Sequence, residues 1–136
     1  MVSPVLFAVV AMLAWGLWAA LADVATRTID PTVAMVLSYA TSVGVALAYV
    51  ALSGQEVSLE GSGVGWALAA GVFAGVGAVA FYAGLADGRT GVVTTISALY
   101  FVVAALVGVA VLGESLGLRE VAGVGFAVLA VALLAG

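Results

Sequence analysis

The apolar positions of the chain are gathered into five long runs, and short breaks between them hold most of the charged residues. Each run approaches the roughly 20 residues that a helix needs to cross a hydrocarbon layer about 30 Å thick. The pattern therefore predicts five membrane-spanning helices. They cover approximately residues 4–22, 32–52, 63–86, 91–112 and 118–135.

Helix start signals stand in the breaks. Ser3-Pro4 and Asp30-Pro31 each place a side chain that can cap a helix directly before a proline suited to its first turn. Ser62 and Thr90 are predicted to cap the third and fourth helices in the same way. The first run could instead be a secretory signal, because Ala19–Asp23 offers an Ala-x-Ala cleavage site. We expect it to be retained, since no Lys or Arg precedes it and it is long for a signal peptide.

The composition supports a membrane environment. Hydrophobic residues make up 66% of the 136 residues and charged residues 7%, whereas soluble domains have about 45–50% and 25%. A small domain cannot hide that much apolar surface from water. We therefore predict an all-α integral membrane protein, a five-transmembrane-helix bundle with the lipid bilayer as its surroundings. Residues 1–136 are predicted to form a single transmembrane domain, because the breaks are too short to hold another.

Several function classes lack the residues they need. The chain has no cysteine and no histidine, which removes thiolate metal sites, disulfides and the commonest general base. We therefore expect neither an enzyme nor a bound metal or cofactor. Nucleic acid is not an expected partner either, because the three basic residues form no cluster.

The arginines are divided almost evenly between the two sides of the membrane. Arg27 and Arg89 follow the first and third runs and lie on one side, whereas Arg119 follows the fourth run and lies on the other. Lys and Arg orient membrane proteins, so a split of two against one predicts little bias. Such a chain could insert both ways up and pair with an inverted copy of itself. Alternatively, weaker signals select one orientation, or a separate subunit supplies the other half.

Polar and aromatic side chains inside the runs are the candidates for a binding site. Thr94, Ser97 and Tyr100 share one face of the fourth run, where they could line a cavity or form hydrogen bonds between helices. Trp15 and Trp18 share a face of the first run. With Tyr82 they could form the wall of a cavity for an amphipathic or aromatic solute, or they could serve packing alone.

Two carboxylates are candidates for coupling or gating. Asp23 and Arg27 are spaced to form an ion pair on the first helix, which favours a structural role for Asp23. Glu114 follows Gly113, which is predicted to end the fourth helix. Glu114 is then expected near the positive start of the fifth helix, where Arg119 could pair with it or with Glu120.

Small residues indicate where another helix could approach. Gly71 and Gly75, followed by Gly77, form a smooth face on the third run, and Gly123 begins a similar face on the fifth.

Over all five runs the sequence resembles an EamA domain of the drug/metabolite transporter superfamily. Leu99-Tyr100-Phe101-Val102-Val103 and the later Leu112-Gly113-Glu114 match the family's fourth helix and the loop after it. Trp15-Gly16 matches the Trp-Gly of the family's first helix. Phe101 stands where many relatives have proline, which predicts either a straighter fourth helix or a kink made by Thr94, Thr95 and Ser97.

The resemblance implies an EamA-like half-transporter. Most relatives look like two such domains fused, so this domain should need a second copy of itself or a homologous half-domain. It would move a small organic metabolite or drug-like solute across the cytoplasmic membrane by alternating access. The alternative is a non-transporting membrane subunit that stabilises or regulates a partner protein. The related small multidrug resistance proteins couple transport through a first-helix carboxylate, and the matching stretch Met12–Ala19 has none.

Overall fold

A computed structural model describes residues 3–54, 56–59 and 61–135, and their regular structure is entirely helical. The chain divides into two compact units, one up to Asp87 and one from Gly88. The first unit contains α1 (Pro4–Thr26), α2 (Pro31–Ser53) and α3 (Gly63–Asp87). The second contains α4 (Thr90–Ala98), α5 (Tyr100–Val111) and α6 (Leu118–Ala135).

In the first unit, two helices begin at the capping residues that the sequence indicates. The Ser3 hydroxyl accepts a hydrogen bond from the Val5 amide at 3.2 Å. The Asp30 carboxylate accepts from the amides of Thr32 and Val33 at 2.8 and 3.4 Å. These bonds satisfy amides that have no partner within the helix, so the two predicted caps are confirmed.

The first unit is held together by close packing of small side chains. Helices α1, α2 and α3 each contact the other two. The buried positions include four alanines, Ala19, Ala22, Ala34 and Ala78. Small residues let helix backbones approach closely, which compensates for the weak hydrophobic drive between helices in lipid.

In the second unit, the predicted fourth helix is divided at Leu99 into α4 and α5. Hydrogen bonds of i to i−3 spacing replace the regular pattern there, from the Leu99 amide to Ile96 and from the Val102 amide to Leu99. The hydroxyls of Thr94 and Thr95 donate back to backbone carbonyls of the first turn of α4. Of the two alternatives for this segment, the straighter, uninterrupted helix is therefore wrong. The other alternative is observed for Thr94 and Thr95, which bond back to the preceding turn, whereas Ser97 forms no such bond within the described residues.

The start of α4 also differs from the prediction. Thr90 is the first helical residue, and Arg89 occupies the capping position without a side-chain hydrogen bond. The Thr90 carbonyl instead accepts from the Thr94 hydroxyl at 2.6 Å. Thr90 is therefore not the cap of this helix.

Gly113 turns the chain after α5, as predicted. Its φ of 73° lies in the left-handed region, which glycine adopts without steric cost. The turn lets the Glu114 amide donate to the Gly108 carbonyl at 3.0 Å. The Glu114 carboxylate lies against the same glycine, so close that a Cβ on Gly108 would be 2.5 Å from its Oε2. Glu114 therefore packs on α5, and the expectation that it accepts at the start of α6 is wrong.

Arg119 also differs from expectation. Within the described ranges it forms no ion pair with Glu114 or Glu120. Helix α6 begins after Gly117, whose carbonyl accepts the first helical amide, that of Val121, at 3.1 Å. Glu120 is the acidic residue of the first turn of α6.

Four segments of the described chain are long and apolar enough to cross a membrane, namely α1, α2, α3 and the stretch Thr90–Val111. Many of their large apolar side chains are exposed, including Leu17, Leu47 and Phe73 at 68%, 63% and 78%. Exposing apolar side chains of this size to lipid tails is favourable, whereas exposing them to water is unfavourable. These observations confirm an all-α membrane protein.

Replacing Asp30 tests the cap of α2. Asp30→Ala removes the acceptor of two amides and should lower the free energy of unfolding by about 1 kcal/mol. Unfolding of the detergent-solubilised protein, followed by circular dichroism, measures the loss. Asp30→Asn keeps an acceptor oxygen and should stay close to the parent. Equal destabilisation by both changes would show that the cap does not stabilise α2.

Candidate functional site

Three aromatic rings form a cluster in the first unit. The Trp18 indole stacks on Phe81 with ring centroids 5.0 Å apart and planes at 16°. Tyr82 meets both rings edge-on, 6.0 Å from Trp18 and 6.2 Å from Phe81. Offset stacking and edge-to-face contact are the arrangements that aromatic rings prefer. The structure therefore brings together two of the predicted site residues, Trp18 on α1 and Tyr82 on α3.

The cluster also reaches α2 through a hydrogen bond. The Trp18 indole N–H donates to the Ser38 hydroxyl at 2.9 Å. Trp18 thus contacts side chains of both other helices of the unit. A polar group inside a membrane bundle needs such a partner, and here the partner also fixes the orientation of the indole.

Trp15 lies one turn before Trp18 on α1, and 59% of its surface is exposed. Tyr82, in contrast, is only 2% exposed. Of the three residues predicted to form a cavity wall, Trp18 and Tyr82 are therefore packed in the aromatic cluster. The Trp15 indole lies outside that cluster and is more than half exposed.

Phe81 and the specific role of Ser38 do not follow from the sequence. Phe81 is an apolar residue in an apolar helix, and its spacing does not distinguish it from Phe73, which is 78% exposed. Ser38 lies close in sequence to Thr41 and Ser42, whose hydroxyls donate to carbonyls one turn back in α2. Only the packing of α1 on α2 reveals that Ser38 is the acceptor of the Trp18 indole.

Three of the residues predicted to contact solute lie in the second unit. The Thr94 hydroxyl donates to carbonyls of its own helix, to Thr90 at 2.6 Å and to Gly91 at 3.3 Å. Ser97 and Tyr100 stand on either side of the interruption at Leu99, and Tyr100 is 59% exposed. Their shared role in lining a cavity stays a prediction.

The ion pair predicted at the end of α1 is confirmed. Arg27 donates to the carboxylate of Asp23, which is buried, while most of the Arg27 side chain is exposed. The pair neutralises a carboxylate that would be costly to bury alone. Glu114 is the other acidic candidate, and its carboxylate lies on Gly108 of α5. Among the described residues, no group of three or more acidic side chains is placed to hold a metal ion.

Replacing Ser38 tests the hydrogen bond to the indole. Ser38→Ala removes the acceptor and should cost about 0.6 kcal/mol of stability, the mean value for interhelical hydrogen bonds in membranes. In a Trp15→Phe/Trp66→Phe background Trp18 is the one remaining tryptophan, and its emission should shift to shorter wavelength. Ser42→Ala is the matched control, because Ser42 donates within its own helix. An unchanged Trp18 emission in Ser38→Ala would contradict the assignment.

Comparison with known proteins agrees with this architecture. The family described as the EamA-like transporter family matches residues 2–136. No curated protein and no solved structure matches the chain. The match covers the helices of both units, including the Trp15-Gly16 and Leu112-Gly113-Glu114 motifs. The chain belongs to the EamA-like transporter family.

Proposed function

We propose that this membrane protein moves a small organic solute across the cytoplasmic membrane, as a dimer that works by alternating access. The observation that carries the proposal is the family match, which extends over nearly the whole chain. The family is one of transporters, and the four membrane-capable segments suit that role.

In this proposal α6 is the fifth span. Its 18 residues extend about 27 Å at 1.5 Å per residue, close to the roughly 30 Å hydrocarbon thickness. Its two charged residues, Arg119 and Glu120, fall in the first turn, where they can reach the membrane surface. Five spans place the N-terminal and C-terminal ends on opposite sides of the membrane.

The second subunit is an inverted copy of the first. Arg27 and Arg89 favour one orientation and Arg119 favours the other, so both orientations are accessible to one sequence. A pair of inverted domains provides the symmetry that many transporters achieve with inverted repeats.

Trp15 is the side chain of the first unit best suited to contact solute. It is largely exposed, whereas its neighbour Trp18 is committed to Phe81 and Ser38. An indole offers a broad apolar face to an amphipathic or aromatic solute. In this proposal Trp18 and Tyr82 support α1 beneath Trp15, and Thr94, Ser97 and Tyr100 are the candidate contacts of the second unit.

Coupling is assigned to the two acidic candidates. Asp23 would gate the transport pathway. Its carboxylate would release Arg27 and take up a proton or another cation in its place. Glu114 would act through the turn after α5. There its amide donates to the Gly108 carbonyl and its carboxylate lies against Gly108.

One observation favours a second function, that of a non-transporting subunit that stabilises a partner protein. No carboxylate occurs in Pro4–Ala22, Thr32–Leu52 or Gly91–Leu112. These runs therefore offer no midplane charge to couple transport to an ion. A flux measurement separates this function from transport.

Replacing Trp15 tests transport and the solute contact together. Purified protein in liposomes should pass at least one member of a panel of amphipathic and aromatic metabolites faster than empty liposomes. Trp15→Ala should lower that flux roughly three- to tenfold, because an aromatic contact contributes about 0.5–1.5 kcal/mol. Trp15→Phe should restore part of it.

Trp66→Ala is the matched control, because Trp66 is 76% exposed in the first turn of α3 and should not affect flux. Flux equal to that of empty liposomes for the whole panel would favour the non-transporting subunit. Equal loss in both tryptophan variants would contradict the assignment of Trp15.

Arg119 tests the dual orientation. Reporters at the C-terminus of the parent should reveal two populations, one on each side of the membrane. Arg119→Ala leaves Arg27 and Arg89 unopposed and should place the C-terminus almost entirely in the cytoplasm. The double change Arg27→Ala/Arg89→Ala should reverse that preference. A parent with one strict orientation would contradict the inverted homodimer.

A further inference from the structure

A crevice runs between α2 and α3 in the first unit, polar at one end and apolar along its length. At the polar end a small cavity of about 80 Å³ is lined by Thr32, Tyr82 and four apolar residues. It adjoins an open groove of about 390 Å³, and Met35 lines both. Every side chain of the groove is apolar except that of Tyr39. The groove follows α2 from Met35 to Val43, about 12 Å at 1.5 Å per residue.

The Tyr82 hydroxyl marks the small cavity as a site for a hydrogen-bond acceptor. Tyr82 is 2% exposed, and its hydroxyl forms no hydrogen bond to any residue in the described part of the chain. No fully enclosed side-chain oxygen there lacks a partner, so this hydroxyl retains some exposed surface, and we place that surface in the cavity that Tyr82 lines. A hydroxyl so far removed from bulk solvent is costly unless a ligand or water completes its bonding.

The floor of the groove is concave because its residues are small. Gly75 and Ala78 of α3 face Ala40 of α2 across it. A Cβ built on Gly75 would meet no atom within 4 Å, so no described side chain fills this space. The groove extends about 12 Å along α2, is apolar over most of that length and is open on one side, which fits a hydrocarbon chain better than a compact solute.

The polar end lies near a membrane surface. Helices α1, α2 and α3 pack on one another and are joined by short connections, so the start of α2 and the end of α3 lie at the same end of the unit. Thr32 is in the first turn of α2, and Tyr82 is five residues before the end of α3. Lipid head groups occupy this depth.

The charges at this end are mixed, with acidic side chains in excess. Asp87 is exposed at the end of α3, Asp30 caps α2, and Arg27 is paired with Asp23. Arg89 follows Asp87 by two residues, so Asp30 and Asp87 are opposed by one further arginine. The remaining excess of one negative charge favours a group that carries a cation beside its phosphate over a purely anionic one.

From these observations we propose that the crevice binds one zwitterionic phospholipid of the surrounding bilayer. One hydrocarbon chain lies in the groove over Gly75 and Ala78. An oxygen of the glycerol–phosphate region accepts the hydrogen bond of the Tyr82 hydroxyl, and the ammonium group faces Asp30 and Asp87. The site is separate from the proposed solute contact at Trp15, and its occupancy does not depend on transport.

Native mass spectrometry of the full chain in detergent tests the proposal, with added phosphatidylethanolamine or phosphatidylglycerol of identical chains. The parent should retain one phosphatidylethanolamine and bind it at least about threefold more tightly than phosphatidylglycerol. Tyr82→Phe removes only the hydroxyl and should weaken binding roughly three- to fivefold. Tyr49→Phe, at an exposed tyrosine of α2 outside the crevice, should have no effect.

Gly75→Leu fills the groove without meeting another atom at its Cβ and should weaken binding more than tenfold. Gly71→Leu is its control, one turn earlier on α3, equally open and outside the groove. Ala40→Leu fills the groove from α2 and replaces Gly75→Leu if that variant fails to fold, as judged by circular dichroism.

Parent-like binding by a folded groove-filling variant would overturn the placement of the chain. Parent-like binding by Tyr82→Phe would overturn the head-group contact. Equal or tighter binding of phosphatidylglycerol by the parent would overturn the zwitterionic assignment.

Discussion

Lipid offers no hydrogen-bond partner, and the rest of this structure depends on that constraint. Backbone groups in the hydrocarbon layer must be satisfied within the chain, which is why the regular structure of the described residues is helical. The hydroxyls of Thr41, Thr94 and Thr95 follow the same rule by donating to carbonyls one turn back. Where the helical pattern is interrupted at Leu99, hydrogen bonds between residues three positions apart replace those between residues four positions apart.

The same constraint explains how the first unit is assembled. Apolar side chains gain little by leaving lipid for one another, so packing and hydrogen bonds must hold the helices together. Buried alanines bring α1, α2 and α3 close. The Trp18 indole then supplies both kinds of contact, stacking on Phe81 of α3 and donating to Ser38 of α2. One side chain thereby links all three helices of the unit.

Tyr82 connects this packed cluster to the proposed lipid site. Its ring meets Trp18 and Phe81, and the residue also lines the cavity between α2 and α3. A lipid bound there would contact the residue that supports α1, and α1 carries the proposed solute contact at Trp15. Bilayer composition could thus influence the same helix that meets the solute. The physical basis is a shared side chain and not a long-range pathway.

The sequence by itself determined the membrane environment, the approximate limits of the helices, the family and the Asp23–Arg27 pair. Run length, capping residues and i,i+4 spacing act within one helix, so they can be recognised in the sequence before the packing of the helices is known. Only the tertiary structure decided that Phe81 and Ser38 are the partners of Trp18, because these contacts join residues 20 or more positions apart. It also decided that Tyr82 faces a crevice, since the crevice exists only where α2 packs on α3. The tertiary structure also decided where the fourth span is interrupted, at Leu99, and that the Glu114 carboxylate packs against Gly108. Both features depend on backbone conformations that hydropathy does not reveal.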